Sequence, residues 1–323
     1  MQDVNVVTKI LGKEESSAYN IMELSNQKIS VVIPAFKEER VIGMVIHGVR
    51  SILGKECEII VVDDGSPDGT GKAASEAGAT VIRHPYNIGN GAAVKSGLRA
   101  ANGDIIVLMD GDGQHKPEDI PGLLDQIKTY DMVIGARTKD SETSVHRDFA
   151  NLIYNKFATY LTKKEILDLT SGFRAIRKDI AKRFIYLLPN TFSYPSTLTL
   201  SLIRSGHSVT FVPIVARKRE GKSKIKLLKD GLRFFMIMLK IATLYSPSRV
   251  FLPVSASFFV LGIGYYIYTF IMEHRFTNMS ALLIGNGVVI FMMTLIAEQI
   301  AQLRLDRTEE HGHGHGTHMK RPE

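Results

Sequence analysis

From residue 29 onward the chain repeats one pattern: a short apolar run, a polar or acidic loop, then a stretch with helical spacing. The runs at 29–35, 58–62, 79–83, 105–109, 131–136 and 208–216 have strand length and β-branched content. After the first run, Val41, Ile42, Val45 and Ile46 recur on one helical face. A helix is expected up to Ala101, and another over 145–161, where Arg147, Asn151 and Asn155 share a face at four-residue spacing. Further helical segments are expected after Arg174. Strand alternating with helix predicts an α/β fold, a mainly parallel sheet with helices on both faces.

The pattern changes after Lys224. Over 225–245, Ile225, Leu228, Leu232, Phe235 and Leu239 recur at three and four, beside a stripe of Lys226, Lys229, Arg233 and Lys240. A basic amphipathic helix of this kind suits the headgroup layer of a membrane, or the surface of a globular domain. Residues 250–272 and 279–297 hold no charged side chain, and each is long enough to cross a bilayer. The turn between them is short, so a two-helix transmembrane hairpin is expected. Lys and Arg crowd before the first span, and Arg304 and Arg307 follow the second, whereas the turn holds Arg275 alone. The positive-inside rule then places the large domain and both termini in the cytoplasm. Asn278-Met279-Ser280 matches a glycosylation sequon too close to the membrane for use. The expected organisation is an N-terminal extension (1–28), a catalytic domain (29–224), an interfacial segment (225–248), the hairpin (249–303) and a His/Gly-containing tail (304–323). His311, His313, His315 and His318 in that tail could bind metals, but nothing ties them to the acidic loops.

The formal net charge is +7, and the cations gather beside the apolar spans rather than among aromatic stacking positions, which argues against a nucleic-acid partner. One cysteine, Cys57, excludes an internal disulfide framework. Residues 1–28 lack the basic start and apolar centre of a signal peptide.

Chemistry concentrates where strands end. The run at 58–62 leads into Asp63-Asp64-Gly65-Ser66, and the run at 105–109 into Asp110-Gly111-Asp112-Gly113-Gln114-His115. Ligands of open α/β sheets sit beyond the carboxyl ends of strands. Two carboxylates one residue apart repel each other unless a cation lies between them. Oxygen ligands suit Mg²⁺ or Mn²⁺, which commonly also hold a substrate phosphate. A hydrated acidic turn accounts for Asp110 and Asp112 equally well when they are taken alone. Gly89-Asn90-Gly91 fails the dinucleotide fingerprint because Val94 holds its sixth position, and Gly221-Lys222-Ser223 fails the P-loop because Ala216 stands where the first glycine is required. H-E-x-x-H and G-x-S-x-G do not occur.

Taken in order, Val32-Ile33-Pro34-Ala35-Phe36-Lys37-Glu38, Val62-Asp63-Asp64-Gly65-Ser66, Asn87-Ile88-Gly89-Asn90-Gly91-Ala92, Asp110-Gly111-Asp112-Gly113-Gln114-His115, Gly172-Phe173-Arg174 and Gly221-Lys222-Ser223-Lys224 resemble the polyprenyl-phosphate glycosyltransferases of glycosyltransferase family 2. Dolichyl-phosphate mannose and glucose synthases belong there. The resemblance covers roughly residues 29 to 240 and implies a GT-A fold, with a C-terminal membrane hairpin as in several branches.

It also implies roles. Pro34, Phe36 and Glu38 would flank the nucleotide, with Phe36 where family members often carry tyrosine. Asp64 would read the base, or cap the next helix. Asp110, with Gly111, would meet the donor, and Asp110, Asp112 and Gln114 would hold Mg²⁺ or Mn²⁺ on its diphosphate. Arg137, Arg147, Arg219, Lys222 and Lys224 would receive the acceptor phosphate, and Asp168 is either a site residue or a structural hydrogen-bond acceptor. Asp110, Asp112, Arg137 and Arg147 are the catalytic candidates. A lipid phosphate is already ionised, so it needs no general base, and single displacement inverts the anomeric carbon. The expected partners are a nucleotide-sugar, a polyprenyl phosphate and the bilayer, with a homo-oligomer left open. The form of the metal loop leans toward UDP-glucose or UDP-N-acetylglucosamine over GDP-mannose. A polysaccharide synthase would share the fold, but the Gln-x-x-Arg-Trp motif is missing because the chain has no tryptophan. A nucleotidyltransferase would need a glycine-rich opening motif. A non-enzymatic membrane scaffold would have no need of Asp110 and Asp112.

Overall fold

The computed structural model describes residues 27–138, 141, 145–190, 194–217, 239–240 and 243–310. Arg219, Lys222, Lys224, most of the N-terminal extension, most of the basic amphipathic stretch and the histidines of the tail lie outside the described residues. Two compact units interleave along the chain: residues 1–141, 172–182 and 212–219 form one, and residues 142–171, 183–211 and 220–323 the other.

The sheet has seven strands: β1 (Ile29–Ala35), β2 (Glu58–Asp63), β3 (Thr80–Arg83), β4 (Ile105–Leu108), β5 (Met132–Arg137), β6 (Arg174–Arg177) and β7 (Val209–Ile214). Their order is β3-β2-β1-β4-β6-β5-β7. β1 runs parallel to β2 and β4, and β2 parallel to β3. β6 runs antiparallel to both β4 and β5. The mainly parallel sheet is therefore present, with one strand that the apolar pattern does not announce. Arg-Ala-Ile-Arg is short and charged at both ends, and helical segments were expected after Arg174. Here the ladders offered by β4 and β5 override local preference.

Helices cover both faces. α1 (Ile42–Leu53) buries Ile42, Val45, Ile46 and Val49 in one core with Val31 and Ile33 of β1. Side chains alternate along a strand, so Val32 points to the other face. There α3 (Asn90–Ala100) comes so close that a Cβ on Gly97 would lie 2.2 Å from Val32 Cγ1. Two shorter helices, α2 (Thr70–Glu76) and α4 (Ile120–Gln126), complete the βα alternation of this unit. Burying each such aliphatic side chain contributes about 1.5–3 kcal/mol.

The second unit has its own core. Tyr154, Ala158 and Leu161 of α5 (Val145–Thr162) pack with Leu200 and Ile203 of α7 (Tyr194–Arg204) and with Tyr245. The short helix α6 (Lys178–Phe184) leads into it. Two long apolar helices follow, α8 (Pro247–Glu273) and α9 (Asn278–Glu310). Each is long and apolar enough to cross a membrane. Small residues set their approach: a Cβ on Gly262 would lie 2.8 Å from Ile284 Cγ1, and Ser255 Oγ donates to the Gly287 carbonyl at 2.8 Å. α9 runs past residue 303 into the expected tail, because Gln299, Gln302 and Leu303 are strong helix formers that continue it beyond the apolar span.

One acid holds the start of the sheet together. Glu58, the first residue of β2, accepts hydrogen bonds from Ser30 Oγ and from the backbone and side-chain nitrogens of Asn102, the latter two at 2.8 Å. Burial alone would raise its pKa, but these hydrogen bonds outweigh burial and hold the carboxyl below its ordinary value. A depressed folded pKa gives stability that is complete above the ordinary carboxylate range and is lost as pH falls through the folded value. Glu58→Gln is expected to cost about 1–3 kcal/mol at neutral pH. In thermal melts from pH 7 to pH 3, the variant's midpoint should fall less steeply than the wild type's.

Candidate functional site

The strand order makes β1 a switch point: the chain steps from β1 to β2 and β3 on one side, then returns to place β4 on the other. Crevices at such points are where open α/β sheets bind ligands. The loops leaving β1, β2 and β4 are tied to one another there. Asp64 N donates to the Ala35 carbonyl at 2.9 Å, and Gly111 N to the Pro34 carbonyl at 3.3 Å. Lys37 N donates to Ser66 Oγ at 3.0 Å and Glu38 N to Thr70 Oγ1 at 2.9 Å. Lys37 itself has φ +62, a left-handed conformation rare outside glycine. The Glu38 carbonyl then accepts from Val41 N and Ile42 N to start α1, and Phe36 stays exposed with Lys37 Nζ 5.2 Å from its ring centroid.

The four aspartates at the strand ends differ in availability. Asp63 is buried, accepting from Ser66 N at 2.9 Å, with Arg83 Nε 3.5 Å away. Asp64 is buried as well. Its Oδ1 takes Ile88 N at 3.0 Å and His84 Nδ1 lies 2.7 Å from it, while Oδ2 takes Gly89 N at 2.8 Å. His84 Nε2 in turn meets Ser96 Oγ of α3 at 2.9 Å. Asp64 thus serves the loop before α3 rather than the next helix in sequence. Asp110 keeps its side chain 33% exposed. Asp112 Oδ1 accepts from Gln114 N at 3.1 Å, folding the loop into a tight turn in which Gly113 adopts φ +73.

Two contacts fix this acidic loop from outside. A Cβ on Gly172, just before β6, would lie 2.5 Å from Asp110 Oδ2, so only glycine lets Asp110 keep its place. His115 is buried and stacks on Phe173, with ring centroids 5.1 Å apart, and its Nδ1 lies 3.9 Å from Asp110 Oδ2. Gln114 Nε2 donates to the Arg217 carbonyl at 3.2 Å, and Arg217 N donates back to the Gln114 carbonyl at 2.9 Å. That exchange ties the acidic loop to the start of the basic segment. Arg137 ends β5, which lies parallel to β4 because both are antiparallel to β6, so it emerges at the same sheet edge as Asp110.

The remaining candidates lie in the second unit. Arg147 is in α5, and its side chain is outside the described residues. Asn155 Oδ1 accepts from Leu169 N at 3.0 Å, its Nδ2 donates to the Leu167 carbonyl at 2.6 Å, and Thr170 Oγ1 lies 3.4 Å from Asn151 Oδ1. Buried Asp168 Oδ1 accepts from Thr170 N and Ser171 N, both at 3.1 Å. These side chains shape the 167–171 turn.

The Glycosyl transferase family 2 model matches residues 30–185, and that of the GtrB C-terminal hairpin matches residues 246–303. A Methanocaldococcus jannaschii protein of uncharacterized function is 34% identical over 212 residues, covering 62% of this chain and 86% of its own length. The chain belongs to glycosyltransferase family 2. The polyprenol monophosphomannose synthase of Mycolicibacterium smegmatis is 31% identical, with 62% of this chain and 81% of the relative covered. The undecaprenyl-phosphate 4-deoxy-4-formamido-L-arabinose transferase of Photorhabdus laumondii is 27% identical over 87% of this chain and 90% of its own. Among solved structures, glucosyl-3-phosphoglycerate synthase from Mycobacterium tuberculosis superposes with a TM-score of 0.56 at 22% identity, covering 70% of this chain and 81% of that one, which shows the shared GT-A core.

No group of three or more His, Cys, Asp or Glu side chains poised for a metal occurs among the described residues. Two carboxylates on one tight loop still fit a Mg²⁺ or Mn²⁺ ion that takes its other ligands from a bound diphosphate and water. Asp110, half-buried against Gly172, and Asp112 are the residues that would hold such an ion.

Gly172→Ala is expected to push Asp110 aside and cut sugar transfer about 100-fold. Circular dichroism should stay unchanged, and adding Asp110→Asn to Gly172→Ala should lower the rate little further, because both act on the same carboxylate.

Proposed function

We propose that this chain transfers a sugar, with inversion, from a nucleotide-sugar to a polyprenyl phosphate. One observation carries the reading: the paired aspartates sit at the sheet's switch point in a chain that also holds two bilayer-length helices. The relatives named for undecaprenyl-phosphate and polyprenol monophosphate products support a lipid-phosphate acceptor. On this reading residues 29–224 are the catalytic domain, 225–248 lie at the membrane surface, 249–303 form the hairpin, and 304–323 are a cytoplasmic tail. Positive charge flanking the spans keeps the catalytic domain and both termini in the cytoplasm.

The donor lies over the loops after β1, β2 and β4, beside Pro34, Phe36 and Glu38. Asp64 faces the base from its hydrogen-bonded position, and Gly111 lets the backbone approach the diphosphate. Asp110, Asp112 and Gln114 would hold a divalent cation, which would neutralise charge developing on the diphosphate. Arg137, Arg147, Arg219, Lys222 and Lys224 draw in the acceptor phosphate, an encounter of two anions that costs too much without cations. An acceptor phosphate oxygen attacks the anomeric carbon. The bond from that carbon to the diphosphate breaks with its electron pair on the departing oxygen, and the sugar inverts. No protein group needs to remove a proton, because the nucleophile is already ionised. The form of the acidic loop favours UDP-glucose or UDP-N-acetylglucosamine over GDP-mannose.

Purified protein in detergent, given polyprenyl phosphate, Mn²⁺ or Mg²⁺ and each donor in turn, should form one glycolipid. Chelator should abolish it, and Asp110→Asn or Asp112→Asn should lower the rate by about 10²–10³-fold. Cation-dependent donor hydrolysis with no lipid product from any donor would overturn the assignment of the acceptor.

A further inference from the structure

The second unit carries a cleft of about 340 Å³ that the transfer reaction does not use. Lys164, Glu165, Leu167, Ile203, Val209, Thr210 and Phe211 line it. Its lining sets apolar Leu167, Ile203, Val209 and Phe211 beside Lys164, Glu165 and Thr210, and the exposed Lys163 precedes Lys164 in the chain. Leu167 is 52% exposed although it belongs to that lining, and nearby Tyr160 is 52% exposed too.

Both flanks of the cleft are bonded to the ends of the bilayer-length helices. On one side, Arg249 in the first turn of α8 donates to the carbonyls of Tyr160 and Leu161, Tyr160 Oη donates to the Arg249 carbonyl at 2.8 Å, and Ser246 Oγ donates to the Leu161 carbonyl at 3.3 Å. A cation there also suits the carbonyl end of α5. On the other side, Arg204, next to Ile203, meets Glu298 at 3.6 Å, where the apolar span of α9 ends, and the other Glu298 oxygen accepts from Ser248 N at 3.2 Å. Lys164 is three residues from Leu161, a reach of at most about 11 Å along the chain. Val250 begins the uncharged span immediately after Arg249. These ties hold the cleft at headgroup depth, where a lysine meets phosphate and apolar side chains meet the first methylenes of an acyl chain.

We propose that this cleft seats an anionic phospholipid of the surrounding bilayer. The lipid phosphate lies at Lys164 and Lys163 with the Thr210 hydroxyl as a further donor, and the upper chain lies over Leu167, Ile203, Val209 and Phe211. Lys163 and Lys164 against Glu165 leave one net positive charge at the cleft, which selects lipid with a net negative headgroup over zwitterionic lipid. The seat would hold the domain at a fixed height above the bilayer, independently of donor and acceptor.

The chain has no tryptophan, so one introduced indole reports alone. Leu167→Trp would be reconstituted at full length into nanodiscs containing acyl-brominated phosphatidylglycerol or, in parallel, acyl-brominated phosphatidylcholine at the same mole fraction. Val260→Trp, at a position midway along α8 and 71% exposed, gives the reference for quenching inside the bilayer. The Leu167→Trp emission should be blue-shifted and quenched, with the anionic lipid preferred about fivefold, the ratio that one surface lysine supports. Lys164→Glu in the same background should remove that preference and leave the Val260→Trp reference unchanged. Water-like emission with no quenching by either lipid, while Val260→Trp is quenched, would overturn the seat. Equal quenching by both lipids would overturn its selectivity for anionic headgroups.

Discussion

Three loops that leave parallel strands must stay in register while carrying opposite demands, and backbone hydrogen bonds meet that constraint. The Ala35 and Pro34 carbonyls at the end of β1 receive the amides of Asp64 and Gly111, and the β1 loop amides go to Ser66 and Thr70. Those bonds set the loop backbones from which Asp64 and Asp110 project. Burial sorts the acids as well: Asp64 is buried with both oxygens hydrogen-bonded locally, whereas Asp110 keeps a third of its side chain open.

Much of this was legible along the sequence. Buried strands, bilayer spans and acidic strand ends are local signals, written in runs of residues that need no partner to be read. The alternation of strand and helix also specified the class of sheet. What escaped depends on contacts between distant segments. β6 is a strand because β4 and β5 flank it, and nothing in Arg174 to Arg177 says so. Gly172 stands in the ordered motif set, but its reason is the 2.5 Å approach to Asp110, visible only once β6 lies beside β4. His84 and Ser96 carry no motif, yet they complete the surroundings of Asp64. Asn151 and Asn155 do share one face of α5 as their spacing implies, and that face is spent on the 167–171 turn.

The second unit follows different physics. Its polar side chains gather where α5 and α7 meet the ends of α8 and α9, and Arg249 and Glu298 each bind more than one partner. These bonds fix the start of α8 and the far part of α9 against the rest of that unit. Within the hairpin, glycine and serine do the work of close approach that large apolar side chains cannot do among lipid tails.

The central claim is that Asp110 and Asp112 form an incomplete metal site that a nucleoside diphosphate completes. Electron paramagnetic resonance of Mn²⁺ titrated into the full-length protein, with and without UDP or GDP, tests it directly. The account predicts weak binding of Mn²⁺ alone, with a Kd lowered at least about tenfold by the matching diphosphate, a coupling within the ordinary range. That gain should vanish in Asp110→Asn. Tight Mn²⁺ binding without nucleotide, or a diphosphate effect that survives loss of Asp110, would contradict it.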